Sequence, residues 1–200
     1  MLSPEQIQQY QDDGYTCVHD LFDPAQIDAL EEAFDGIIDR RLANRAKMDA
    51  TWGGEKWRQK YDNGGGRTTI LVTHDVQAYD AAWSRALLHP PLTEALSDCM
   101  GSPNVQLHHT KLFQKPPEKG SAFPMHQDYP YFPHENHSMM AAVIYLSDAT
   151  DEMGCFRVYP GSHKNGPMTP DEGNHLDPDQ WPIEKATPLP VRRGDVLLFN

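Results

Sequence analysis

The sequence predicts an α+β protein, with helices in its first half and an antiparallel β sandwich or barrel in its second. Two observations predict this. Helix-spaced apolar residues with capping signals fill much of the first hundred positions. From Val105 onward the texture changes to short apolar or alternating runs separated by Pro and Gly. The 200 residues suffice for one domain with a real core and are too few for two comfortable ones. Residues 1–200 therefore read as a single domain, helical up to 103 and sheet-rich from 104.

Ser3-Pro4-Glu5-Gln6 starts the first helix: Ser3 caps, Pro4 suits the first helical position and Gln6 completes a capping box, with Gly14 as the stop. Tyr15 to Phe22 alternates loosely and is expected to form a strand. Asp23-Pro24 begins a second helix, in which Ile27, Leu30, Phe34, Ile37 and Ile38 recur at helical spacing. Trp52-Gly53-Gly54 and Asn63-Gly64-Gly65-Gly66 mark loops, and the glycine run lacks the frame of a phosphate-binding loop. Residues 78–101 form two helices broken at Pro90-Pro91, the first carrying Tyr79, Trp83, Leu87 and Leu88, the second running from Leu92 to Met100 and ended by Gly101. Strand candidates follow at Val105–Gln114, Ala122–Asp128, Met139–Ser147, Cys155–Tyr159 and Val196–Phe199.

Charge and composition restrict function. With 29 acidic against 17 basic residues the net charge is −12, which repels phosphate backbones and makes nucleic acid an unexpected partner. No apolar run approaches the ~20 residues that span a bilayer, so no membrane partner is expected. The polar start MLSPEQIQQYQDDG lacks a signal-peptide core, and a cytoplasmic protein is the expectation. Cys17, Cys99 and Cys155 are far apart and odd in number, the pattern of reduced thiols. Cys155 is expected to be a small buried hydrophobe and not a nucleophile.

His126-Gln127-Asp128 is the sharpest local feature. In a strand, residues i and i+2 share a face, so an imidazole nitrogen and a carboxylate oxygen converge. This is two-thirds of a 2-His-1-carboxylate facial triad, which leaves open positions suited to ferrous iron, an α-keto acid and O₂. Tyr129, Tyr131 and Phe132 follow directly, either as walls of a dry pocket or as ordinary core.

Asn104–Pro117 (NVQLHHTKLFQKPP), HQDYPYFP at 126–133, Gly154–Lys164 (GCFRVYPGSHK) and the GDVLLF strand at 194–199 together resemble the phytanoyl-CoA dioxygenase family of Fe(II)/2-oxoglutarate oxygenases. The resemblance spans nearly the whole chain. It implies a double-stranded β-helix, a cupin-like jelly roll, flanked by the N-terminal helices. It implies Fe(II) on His126 and Asp128, 2-oxoglutarate and O₂ as co-substrates, and hydroxylation of a small organic substrate with release of succinate and CO₂. Related halogenases carry a small residue at the position of Asp128, so its carboxylate favours hydroxylation. It also implies co-substrate contacts at Lys111 and, on a looser match, at His74. Separately, Phe123, three residues before His126, is a candidate wall residue by its position, although a regular strand turns it to the opposite side from His126. An exposed strand lysine is the plain alternative for Lys111.

The family's third iron ligand, a histidine, and its 2-oxoglutarate-binding arginine follow the GDxxxF strand, so both are expected beyond Asn200, together with further strands. His163 sits in a Pro-Gly-Ser turn and is expected to bond nearby backbone, not metal. Of His108 and His109, strand alternation allows only one to face inward, and His134, His137 and His175 are expected at the surface or in loops. Two other functions compete: a non-catalytic binding or regulatory member of the fold, and a different metal-dependent cupin-like enzyme. The acidic charge offers no obvious basic patch for a CoA ester, which favours a small polar or amphipathic metabolite.

Overall fold

The computed structural model of the chain describes residues 1–43, 71–114, 122–136, 138–171 and 173–200. The two glycine-rich loops expected between 52 and 66 lie outside these residues, as does His137.

Helix α1 spans Pro4–Asp13, with the Ser3–Gln6 capping box formed in both directions and Gly14 ending it in the left-handed conformation at φ 84°. Strand β1 is Tyr15–Val18. It stops short of the expected Phe22 because Asp20, at φ 54°, turns the chain. Helix α2 spans Pro24–Ala43. A second capping box starts it: the Gln26 amide N–H donates to Asp23 Oδ1 at 2.8 Å, and the Asp23 N–H donates to Gln26 Oε1 at 2.9 Å. Ile27, Leu30, Ala33 and Ile37 form its buried stripe. Strand β2 is Leu71–His74, helix α3 Ala81–Leu87 and helix α4 Pro90–Met100. Asp80 caps α3 through the Ala82 N–H, and Gly101 closes α4 at φ 62°.

The strands that follow are β3 Lys111–Gln114, β4 Ala141–Ile144, β5 Phe156–Val158, β6 Thr187–Leu189 and β7 Val196–Phe199. The described residues contain three antiparallel sheets, ordered β1-β7-β4, β2-β3 and β5-β6. Val196–Phe199 is a strand as expected, whereas the other candidates shrink or vanish. Val105 and Leu107 are exposed and unpaired in any ladder, so the first candidate reduces to β3. Ala122–Asp128 forms no ladder at all: its backbone is irregular to Gln127 and turns from Asp128. Strands β2 and β6 were not foreseen, because runs as short as Leu71–His74 and Thr187–Leu189 carry too few residues for a period to show.

Central strand β7 organises the core. Val196, Leu197 and Leu198 are all 0% exposed, so both faces of the strand are covered. Val196 and Leu198 join α2, α3, α4 and Leu112 of β3 in one apolar cluster. On the other face, Phe199 packs on Phe156 of β5 with ring centroids 4.6 Å apart. Helices thus cover one side of the three-stranded sheet and β5 meets the other. No helix among the described residues is long and apolar enough to cross a membrane.

Candidate metal centre

Pro124 is fully buried and its carbonyl faces the His126 ring, with Nδ1 at 2.7 Å from the oxygen. A carbonyl only accepts, so Nδ1 carries the proton and Nε2 presents its lone pair. That lone pair is aimed toward Asp128, whose Oδ1 lies 3.7 Å from Nε2. Two donors each about 2.1 Å from one ion span up to about 4.2 Å, so the pair can grip a single metal. A backbone acceptor on the far ring nitrogen is the support that metal-bound imidazoles usually have. The donor set of one neutral imidazole and one carboxylate therefore fits ferrous iron.

The HxD geometry holds without a β ladder. Gln127 points the other way: its Nε2 donates to Gly166 O at 3.0 Å, and its Oε1 accepts from Met168 N–H at 2.8 Å. After Asp128 the chain turns, with the N–H groups of Tyr131 and Phe132 both bonded to Asp128 O, at 3.0 and 3.1 Å. The turn swings the Tyr131 ring edge-on to His126, centroids 5.8 Å apart. Tyr131 is half-buried, and burial, followed by the charges of Asp128 and Asp171, raises its pKa.

Phe132, from the same turn, is the hub of a basic cluster. His108 and His109 lie 5.0 and 4.8 Å from its ring, and Lys111 Nζ sits 5.1 Å above it. Both histidines reach it because 103–110 is not a strand, so the expected one-in, one-out alternation does not apply. His74 pairs directly with Lys111 across β2 and β3. Alternation does govern this sheet: Thr73 and Leu112 are buried in the core, which turns His74, Lys111 and Phe113 to the opposite face. Phe123 packs edge-on against Phe113 at 5.6 Å, on the Lys111 face. The three residues expected at the co-substrate, Lys111, His74 and Phe123, thus gather on one sheet face beside the turn that carries Asp128.

Three groups behave differently from expectation. His163 bonds the Gln11 carbonyl at 3.1 Å and packs on Gly14, so its partner is the end of α1 and not nearby backbone. His175, expected at the surface or in a loop, lies in a loop but is only 6% exposed. Its backbone N–H bonds Asp171 Oδ1 at 2.8 Å, and the next residue, Leu176, donates to Met125 O at 2.8 Å. The sequence carries only Asp171-Glu172-Gly173-Asn174 as a signal there, which reads as a surface turn. Among the described residues, three ligand atoms converge within 4.8 Å only at Cys17, His19 and Asp195. There the carboxylate is already engaged, by His19 Nδ1 at 2.6 Å and the Arg192 N–H at 2.7 Å.

The phytanoyl-CoA dioxygenase family model matches residues 10–200. A probable phytanoyl-CoA dioxygenase of Caenorhabditis elegans is 28% identical over 178 residues, covering 86% of this chain and 56% of the nematode protein. The chain thus spans little more than half the length of that curated relative. Among solved structures, the non-heme alpha ketoglutarate dependent carbocyclase SnoK from nogalamycin biosynthesis superposes with a TM-score of 0.77 at 21% identity, over 100% of this chain and 74% of that one. EctD from S. alaskensis with bound Fe superposes with a TM-score of 0.74 at 20% identity, over 100% of this chain and 68% of that one. These two share the fold. With the family model matched over nearly the whole chain, on the segments that build the HxD turn and the sheet beside it, the chain belongs to the phytanoyl-CoA dioxygenase family.

Proposed function

We propose that this chain forms the metal-binding part of a non-haem Fe(II)/2-oxoglutarate-dependent dioxygenase that hydroxylates a small organic substrate. The observation that carries the reading is the His126–Asp128 pair, 3.7 Å apart with the imidazole tautomer set by Pro124 O. In this reading His126 Nε2 and Asp128 are two protein ligands of the iron. The third lies outside the described residues, and the family pattern puts it past Asn200. The three antiparallel sheets then belong to a double-stranded β-helix within one domain over 1–200.

Iron with 2-oxoglutarate supplies the oxidising power: O₂ and the co-substrate become succinate, CO₂ and the hydroxyl oxygen of the product. The chain's own residues bind and orient. Lys111 offers an ammonium to a carboxylate of 2-oxoglutarate, with His74 beside it across the sheet and Phe123 walling the same face. Tyr131 covers one edge of the His126 ring and limits water there. Three free cysteines support a reducing, cytoplasmic setting.

The test is anaerobic addition of Fe(II) and 2-oxoglutarate to the full-length protein. A weak visible charge-transfer band should appear, and His126→Ala or Asp128→Ala should abolish both the band and substrate-stimulated succinate release. A full-length protein that shows no band overturns the reading.

A further inference from the structure

His175 has no place in the HxD pattern, yet the fold buries it in a segment bonded to the turn that carries His126. The 171–176 segment is fastened to the metal-binding turn on two sides. Leu176 N–H donates to Met125 O, one residue before His126, at 2.8 Å. Tyr131 OH, from the ring that stands edge-on to His126, donates to Gly173 O at 3.2 Å. Within the segment, Asp171 Oδ1 accepts the N–H groups of Gly173 and His175, both at 2.8 Å. These bonds hold a tight loop whose interior is filled by the His175 imidazole.

The His175 Nδ1 is buried with no hydrogen-bond partner, and the nearest carboxylate oxygen, on Asp171, is 3.5 Å away. A buried unpaired ring nitrogen costs about 1–3 kcal/mol, so the ring is retained for where it sits and not for its own bonding. Gly173 makes the placement possible. A Cβ at that position would lie 2.6 Å from His175 Nδ1 and 2.7 Å from Cε1. Gly173 has no left-handed φ, so its lack of a side chain serves the imidazole and not the backbone. Burial lowers the pKa of this imidazole, against the opposing charge of Asp171.

We propose that His175 is a positioning residue for the metal: its buried imidazole, seated over Gly173, props the loop whose Gly173 O and Leu176 N–H hold Tyr131 and Met125, on either side of His126 in the chain, and so fixes the direction of Nε2. His126 is then held by the Pro124 carbonyl at its Nδ1 and by a turn that the loop ties down at both Met125 and Tyr131. The inference rests on the proposed metal site, and its contribution is the ring's volume.

The experiment uses Co(II) as a spectroscopic stand-in for Fe(II), titrated into the full-length protein and its variants, with thermal melts recorded in parallel. His175→Ala should weaken Co(II) binding about tenfold or more and shift the visible Co(II) bands, the scale seen when support of a ligand imidazole is removed. Gly173→Ala, which touches no ligand and displaces the ring by one methyl group, should do the same. His175→Phe, which keeps a flat ring without nitrogens, should retain affinity within a few-fold of the wild type. Folded Ala variants that bind Co(II) as tightly and with the same spectrum as the wild type overturn the inference. So does a folded Phe variant as weak as the Ala variant. If the wild type itself binds no Co(II), the metal-site reading fails, which is a separate result.

Discussion

His109 shows how one side chain records its surroundings. Burial lowers its pKa, and the positive charges of Lys111, His108 and His74 lower it further, with Asp75 opposing. A folded state that binds this proton less readily than the unfolded chain loses stability on acidification. The contribution is full above the unfolded value near 6.5 and is lost as pH falls through the lowered folded value. Replacing Lys111 by Met removes one of the opposing charges. The His109 ring resonances should then titrate at higher pH by NMR, and an unchanged midpoint would count against the cluster. The site was legible at this scale where the chemistry is local. His126 and Asp128 needed only an i, i+2 spacing, which survives in irregular backbone with no ladder. His175 was not legible, because its burial depends on Met125 some fifty residues earlier in the chain and on the bare Cα of Gly173.

At the scale of elements, the capping signals at Ser3 and Gly14 and the apolar stripe of α2 were readable because helices declare themselves over neighbouring residues. The PGSHK segment was readable as a turn, and it does form a short 3-10 turn at Ser162–Asn165. Its role was not, because it docks on the end of α1: Gly161 N–H bonds Asp13 O at 2.9 Å and His163 reaches Gln11 O. Gly14→Ala tests this joint. The left-handed φ costs an L residue about 1–2 kcal/mol, and the new Cβ would meet His163 Nδ1 at 2.5 Å. Urea denaturation should show a loss of at least that size. A neutral result would mean that the corner relaxes freely and that His163 contributes little.

For the whole molecule, the apolar faces of β7 outweigh the surface charges. Leu198→Ala removes a side chain that is 0% exposed at the junction of helices and sheet, and should cost about 2–5 kcal/mol in denaturant unfolding. Arg193 bonds both Asp28 and Glu31 of α2, at 2.6 and 2.7 Å, yet these partners are 69% and 49% exposed. Arg193→Ala should therefore cost far less than Leu198→Ala, and its effect should shrink in high salt. A larger loss for Arg193→Ala than for Leu198→Ala would contradict this ranking. The α+β class was legible from texture alone, but the pairing of sheets was not, since β1 finds its partner at the other end of the described chain.

That last pairing has a kinetic consequence. Tyr15 lies opposite Phe199, and the Asn200 N–H closes onto Gly14 O at 2.9 Å. During synthesis β1 leaves the ribosome with its central neighbour still to be made, and the helices of the first half have no sheet to cover. Closing so long a loop must precede the contacts that reward it, which makes for slow folding. Refolding should accordingly slow sharply when β7 is weakened by Leu198→Ala if this strand belongs to the nucleus, while a change confined to the unfolding rate would place its docking after the barrier.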